Sequence, residues 1–120
     1  MKKRVKRKWV AALKSGKYKQ GQRRLRDRKK HCCLGVLCEI AVAEGVIPKY
    51  KGSEIFLPLE VQVWAGLDQP DPLLGRVSAS VHNDGRGTWE RPLPPGRDTW
   101  ERPLPPKSFD EIADLIDEYL

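Results

Sequence analysis

The chain is poor in the residues from which most active sites are built. Two histidines, three cysteines and one methionine occur among its 120 residues. No apolar run is long enough to cross a bilayer, so no membrane span is expected. An odd number of cysteines argues against a closed disulfide framework and suits a reducing compartment. There is no C-x2-C pair and no H-x3-H pair, so the usual zinc frameworks are missing. No recognition-helix signature or aromatic RNA-binding platform is present either. The stretch AALKSGKYKQ after the basic start is too short and too charged for the apolar part of a secretory signal. The expectation is one cytosolic domain over residues 1–120, without cofactor, metal or membrane partner.

What the chain has is charge, unevenly placed. Its net charge is +7. Residues 1–30 hold 15 Lys and Arg against Asp27 alone, a net +14, and the remaining 90 residues carry −7. A basic front and an acidic rear imply a polyanionic partner or packing of one against the other.

Periodicity places the elements. Val5, Trp9, Ala12 and Leu13 form one apolar stripe of a helix over 3–15, stopped by Ser15-Gly16. Tyr18 to Gly21 read as loop. QRRLRDR, 22–28, reads as a strand with Arg24, Arg26 and Arg28 on one face, returned by a turn near 27–30. Leu34–Glu44 is a buried helix ended by Gly45, and Gly35 within it admits a second backbone. Residues 46–57 are irregular. Pro58 opens a helix to Ala65, ended by Gly66. Residues 67–76 are loop, and the alternation in VSASV, 77–81, predicts a strand. Ser108 and Glu111 make a capping box for a last helix with an apolar stripe and an acidic face, predicted to lie near the basic first helix. The fold class is α+β: three or four helices on a short antiparallel hairpin. Its core is predicted to be Trp9, Leu13, Leu34, Leu37, Ile40, Ala41, Val61, Trp64, Phe109, Ile112 and Ile116.

Between these elements an 11-residue unit repeats: GRGTWERPLPP at 85–95 and GRDTWERPLPP at 96–106. Two copies are too few for a solenoid. Each offers a PxxP core to a proline-binding groove, but a duplicated surface insertion that the fold tolerates is the simpler explanation.

The segment HCCLGVLC, 31–38, is the one place that looks like chemistry. A zinc ion needs four ligand atoms at about 2.0–2.3 Å. On a helix, Cys33 and Cys38 point roughly 140° apart, and His31 lies about 10 Å from Cys38 along the axis. A cysteine nucleophile would need a base, with His82 beside Asn83 and Asp84 as the distant candidate. The apolar neighbours instead make Cys32, Cys33 and Cys38 small buried hydrophobes.

The run Trp9, Ala12-Leu13, Ser15-Gly16, Tyr18, Gln20, Leu25 and CCLGVLC resembles a group of small proteins encoded by tailed bacteriophages. The likeness continues through Leu57-Pro58, Val61, Trp64-Ala65-Gly66-Leu67, Asn83-Asp84 and SFDEIADLIDEYL, and skips 85–107. The resemblance implies a phage accessory protein in the bacterial host cytosol. By analogy with small phage inhibitors of host defence, it implies a counter-defence role. The resulting expectation is non-catalytic sequestration of an anionic, phosphate-containing ligand such as a nucleotide immune signal, in an oligomer or a deep pocket. The expected ligand-binding residues are Trp9, Tyr18, Gln20, Arg24, Arg26, Arg28, Asn83 and Asp84, the arginines for their fork of donors. The alternative is a nucleic-acid binder, or an inhibitor of a host nucleic-acid enzyme, acting through the basic N-terminal segment. A protein-interaction module and a cysteine enzyme are the remaining classes.

Overall fold

A computed structural model describes residues 1–85 and 104–120. The apolar stripe of the first segment forms α1, Lys3–Lys14, and buries Val5, Trp9 and Leu13. Gly16, at φ +75°, lets the chain turn away after Ser15. The nearly uncharged segment that follows the cysteines forms α2, Cys33–Ala43. Its residues 33–38 are all buried, so α2 runs through the centre of the molecule.

Around α2 lie α3, Leu59–Ala65, then α4, Ala79–Asp84, and α5, Phe109–Tyr119. Pro58 precedes α3 and Gly66 ends it in the left-handed conformation. The capping box at Ser108 and Glu111 is formed on both sides. α5 packs lengthwise on α1, so the acidic face predicted at the end does meet the basic face predicted at the start. Of the eleven predicted core residues, nine are buried and Ile40 and Trp64 are half-buried against them. The class is α+β, as expected.

The sheet differs from its prediction. It has three two-residue strands: β1, Lys19–Gln20, β2, Arg26–Asp27, and β3, Lys30–His31. β3 is central, antiparallel to β2 and parallel to β1. The parallel partner lies in the stretch expected to be loop. A second small pair joins β4, Leu73–Leu74, and β5, Val77–Ser78. The strand expected over 77–81 therefore ends after two residues, and Ala79 begins α4. Asp71 fixes that change: its carboxylate accepts from the Ser80 N–H at 2.9 Å and from the Ser80 hydroxyl. An acceptor at a helix start rewards helix over extended chain.

Gly35 performs the role read from its sequence. A Cβ there would lie 1.8 Å from the carbonyl oxygen of Leu25. The stretch leading into β2 thus rests directly on the α2 backbone, and Leu25 itself is fully buried. The doubled proline unit lies outside the described residues except at its two ends. Those ends meet: a Cβ on Gly85 would sit 2.8 Å from the Leu104 carbonyl oxygen, and the Lys107 N–H donates to His82 at 2.8 Å. The unit leaves and re-enters the fold at one neck.

Candidate functional site

The thiols are interior. Cys32, Cys33 and Cys38 are free and buried. Burial pushes the Cys32 thiol up to about 11 and the Cys38 thiol up to about 12, and holds Cys33 well above its ordinary value. A neutral thiol is a poor nucleophile and a poor metal ligand. Cys32 instead caps α2, its sulfur accepting from the Gly35 N–H at 3.4 Å. Among the described residues no group of three His, Cys, Asp or Glu side chains is placed to hold a metal ion.

Two of the expected ligand-binding residues are structural. Trp9 has no exposed surface, and its indole N–H donates to the Cys33 carbonyl at 2.9 Å. It joins α1 to the first turn of α2 and has no face left for a ligand. Asn83 sits in the last turn of α4 and is also fully buried. Its Oδ1 accepts from the Cys33 N–H and from Gln20 Nε2, both at 3.1 Å. Its Nδ2 donates to the Gly21 carbonyl at 2.8 Å and to Asp84 Oδ1 at 3.0 Å. All four hydrogen-bonding positions are used, as a buried amide requires. Asp84 also accepts from the Arg23 N–H at 3.0 Å, and Gln20 donates to the Lys107 carbonyl at 2.7 Å. The structure brings Gln20, Asn83 and Asp84 together as a clamp holding residues 20–23 against α2 and α4.

The arginines do not share a strand face. β2 is too short, and Arg28 turns away in the left-handed region at φ +58°. The register places Gln20, His31 and Arg26 on one face of the sheet and Lys19, Lys30 and Asp27 on the other. The first face looks inward. There Glu39, the one charged residue of α2, accepts from His31 Nε2 at 2.9 Å and from the Tyr50 hydroxyl at 3.1 Å. Arg26 lies 3.8 Å from the same oxygen and 5.4 Å from the Tyr50 ring centre. Burial, with Glu39 beside it, raises the Tyr50 phenol far above its usual value. Tyr18 is half-buried and meets the His31 ring edge-on at 5.3 Å. This inward cluster anchors the sheet. The sequence reading missed it, although a lone carboxylate in an otherwise apolar helix signals a buried partner.

The other face is open. Lys19, Asp27, Arg28, Lys29 and Lys30 line a shallow depression of about 470 Å³. A neighbouring groove of about 420 Å³ runs past Gln20, Gly21, Gln22, Asp27 and Lys30 to Lys107 at the start of α5. Gly21 is required beside this rim, because a Cβ there would come within 2.8 Å of the Lys30 side chain. Residues 17–30 carry eight cations and one acid. Among the described residues, Lys17, Lys19, Arg24, Arg28, Lys29 and Lys30 form no ion pair. Lys19 and Lys30 are direct register partners. Like charges opposed across neighbouring strands repel, and Asp27, opposite Lys30 on its other side, offsets only part of that repulsion.

Among the described residues no helix is long and apolar enough to cross a membrane. The chain belongs to a family described as a domain of unknown function, DUF8296, whose model matches residues 1–120. No curated protein and no solved structure matches it.

Proposed function

We propose that the chain is a non-catalytic nucleic-acid-binding protein that grips the phosphate backbone with the basic lobe of residues 17–30. The observation that carries this reading is the six exposed cations of the lobe without a carboxylate partner among the described residues. Lys19 and Lys30 lie on short strands, Arg28 and Lys29 on the turn between two of them, and Lys17 and Arg24 just outside, with Glu39, His31 and Asn83 anchoring the sheet from behind. Electrostatic contact with phosphate needs open, solvated cations of this kind rather than a closed pocket. The reading places the chain in the cytosol, where its cysteines remain thiols.

Sequestration of a small nucleotide, the activity implied by the phage resemblance, has one point in its favour. The groove of about 420 Å³ is large enough for a mononucleotide. No aromatic side chain lines it to stack on a base, and neither Trp9 nor Asn83 has exposed surface to offer it. The backbone-binding reading is therefore preferred. The test is fluorescence anisotropy with a labelled 20-base-pair duplex between 50 and 200 mM salt. Six neutralised phosphates give a log–log salt slope of about −5. Stabilisation by a mononucleotide in a thermal-shift panel, with no salt-dependent binding to the duplex, would replace this reading with sequestration.

A further inference from the structure

We infer that the β2–β3 turn is a groove-entering finger, with Arg28 the residue that reads the minor groove of duplex DNA; this rests on the backbone-binding reading above. The turn joins Asp27 to Lys30 through only two residues, Arg28 and Lys29. Arg28 has φ +58°, while Lys29 keeps a negative φ. A positive φ at the first central position of a two-residue hairpin is where glycine is the cheap residue. The chain places there a long, exposed guanidinium that forms no ion pair among the described residues. Local backbone preference runs against arginine at this position, so its presence there points to a use for the side chain.

The surroundings fit a groove rather than a single strand. Lys19 and Lys30, register partners on neighbouring strands, stand behind the tip on the outer face, with Lys29 beside it. Strands about 4.8 Å apart make this a narrow projection flanked by cations. The minor groove, about 6 Å wide, admits a side chain from such a tip while phosphates on its walls meet the lysines. A single strand would instead need exposed rings on which bases stack. The lobe offers none: Tyr18 is half-buried edge-on to His31, and Tyr50 lies under Arg26. A guanidinium is favoured over an ammonium in the narrow, strongly negative groove of A-tracts because it is more weakly hydrated.

The experiment compares wild type, Arg28→Lys and Arg28→Gly on three labelled probes: a 20-base-pair duplex with a central A-tract, a G·C duplex of equal length, and the A-tract single strand. The wild type is expected to bind the A-tract duplex on the order of tenfold tighter than the G·C duplex, the worth of one good groove contact. Arg28→Lys keeps the salt slope and loses that preference. Arg28→Gly loses the preference, lowers the slope by about one, and melts no lower than wild type, because glycine suits the turn. Equal binding of the two duplexes by wild type, a preference that survives in Arg28→Lys, or tighter binding of the single strand overturns the finger while leaving backbone binding in place. Absent or salt-insensitive binding to all three probes overturns the backbone-binding reading, and the finger with it.

Discussion

The two basic regions of this chain carry nearly the same formal charge and differ in what faces them. Residues 1–14 hold seven cations and no acid, and residues 17–30 hold eight cations and one acid. On α1, Lys14 pairs with Asp114 at 2.7 Å, Lys8 with Glu44 at 3.0 Å, Lys6 with Asp117 at 3.9 Å, and Arg4 with Glu44. The reciprocal effects are visible: Lys8 and Arg4 hold the Glu44 carboxyl below its usual range, and Asp114 raises the Lys14 ammonium. Most of the cations of the lobe have no such answer among the described residues. The difference teaches that the charge of a segment is not the field a ligand meets. The fold spends acids of α5 on one basic region and leaves the other exposed.

The largest expected effect removes the lobe's seat. Gly35→Ala puts a Cβ 1.8 Å from the Leu25 carbonyl oxygen, backbone against backbone, so neither side relaxes cheaply. A loss above roughly 4 kcal/mol is expected, in the class of severe core disruption. Thermal melting should fall by at least about 12 °C for a domain of this size. A melting point within a few degrees of wild type would mean that β2 does not rest on α2. Next comes the comparison itself. Neutralising Lys19, Lys29, Lys30 and Arg28 to glutamine should lower the salt slope on duplex DNA by 3 to 4 and the affinity by on the order of a thousandfold in 0.1 M salt. The matching set on α1, Arg4, Lys6, Lys8 and Lys14 to glutamine, should cost less than about tenfold, since each already faces a carboxylate. Equal losses from the two variants would erase the distinction between the regions.

How much of this was legible in the sequence follows from element length. α1, α2, α3 and α5 declared themselves because periodicity accumulates over two or more turns, or because a cap residue marks the boundary. The strands are two residues each, too short for any alternation to register. The parallel pairing of Lys19 with Lys30 brings together segments eleven residues apart for a reason no local pattern carries. In QRRLRDR the alternation of arginines was real, but the left-handed turn at Arg28 breaks the face it implies. VSASV failed for a related reason: Asp71, outside the alternating pattern, accepts from the Ser80 N–H in the first turn of α4 and favours helix there. At the site, Gln20 lies in β1 rather than in a loop, and Arg24 and Arg28 flank the two-residue β2 instead of sharing a face with Arg26. The roles of Trp9 and Asn83 were not visible, because an indole and an amide read the same whether they face a ligand or the Cys33 backbone. Glu39 carried the unused signal. A solitary charge in an apolar helix must be paired, and its partners mark the inward side of the lobe.

The smallest effect asks whether α1 is silent by nature or by company. Asp114→Asn together with Asp117→Asn removes the carboxylates facing Lys14 and Lys6 while leaving the buried stripe of α5 intact. Both acids are largely exposed, so the melting point should move by no more than a degree or so. If α1 is held back only by these acids, freeing two cations should steepen the salt slope on duplex DNA by up to about 2 and tighten binding modestly, with the lobe still required. If the slope does not move, α1 points away from any path the bound duplex follows, and the lobe alone defines the footprint. Either result is read from the same anisotropy titration, and a melting curve of the same sample separates it from a change in folding.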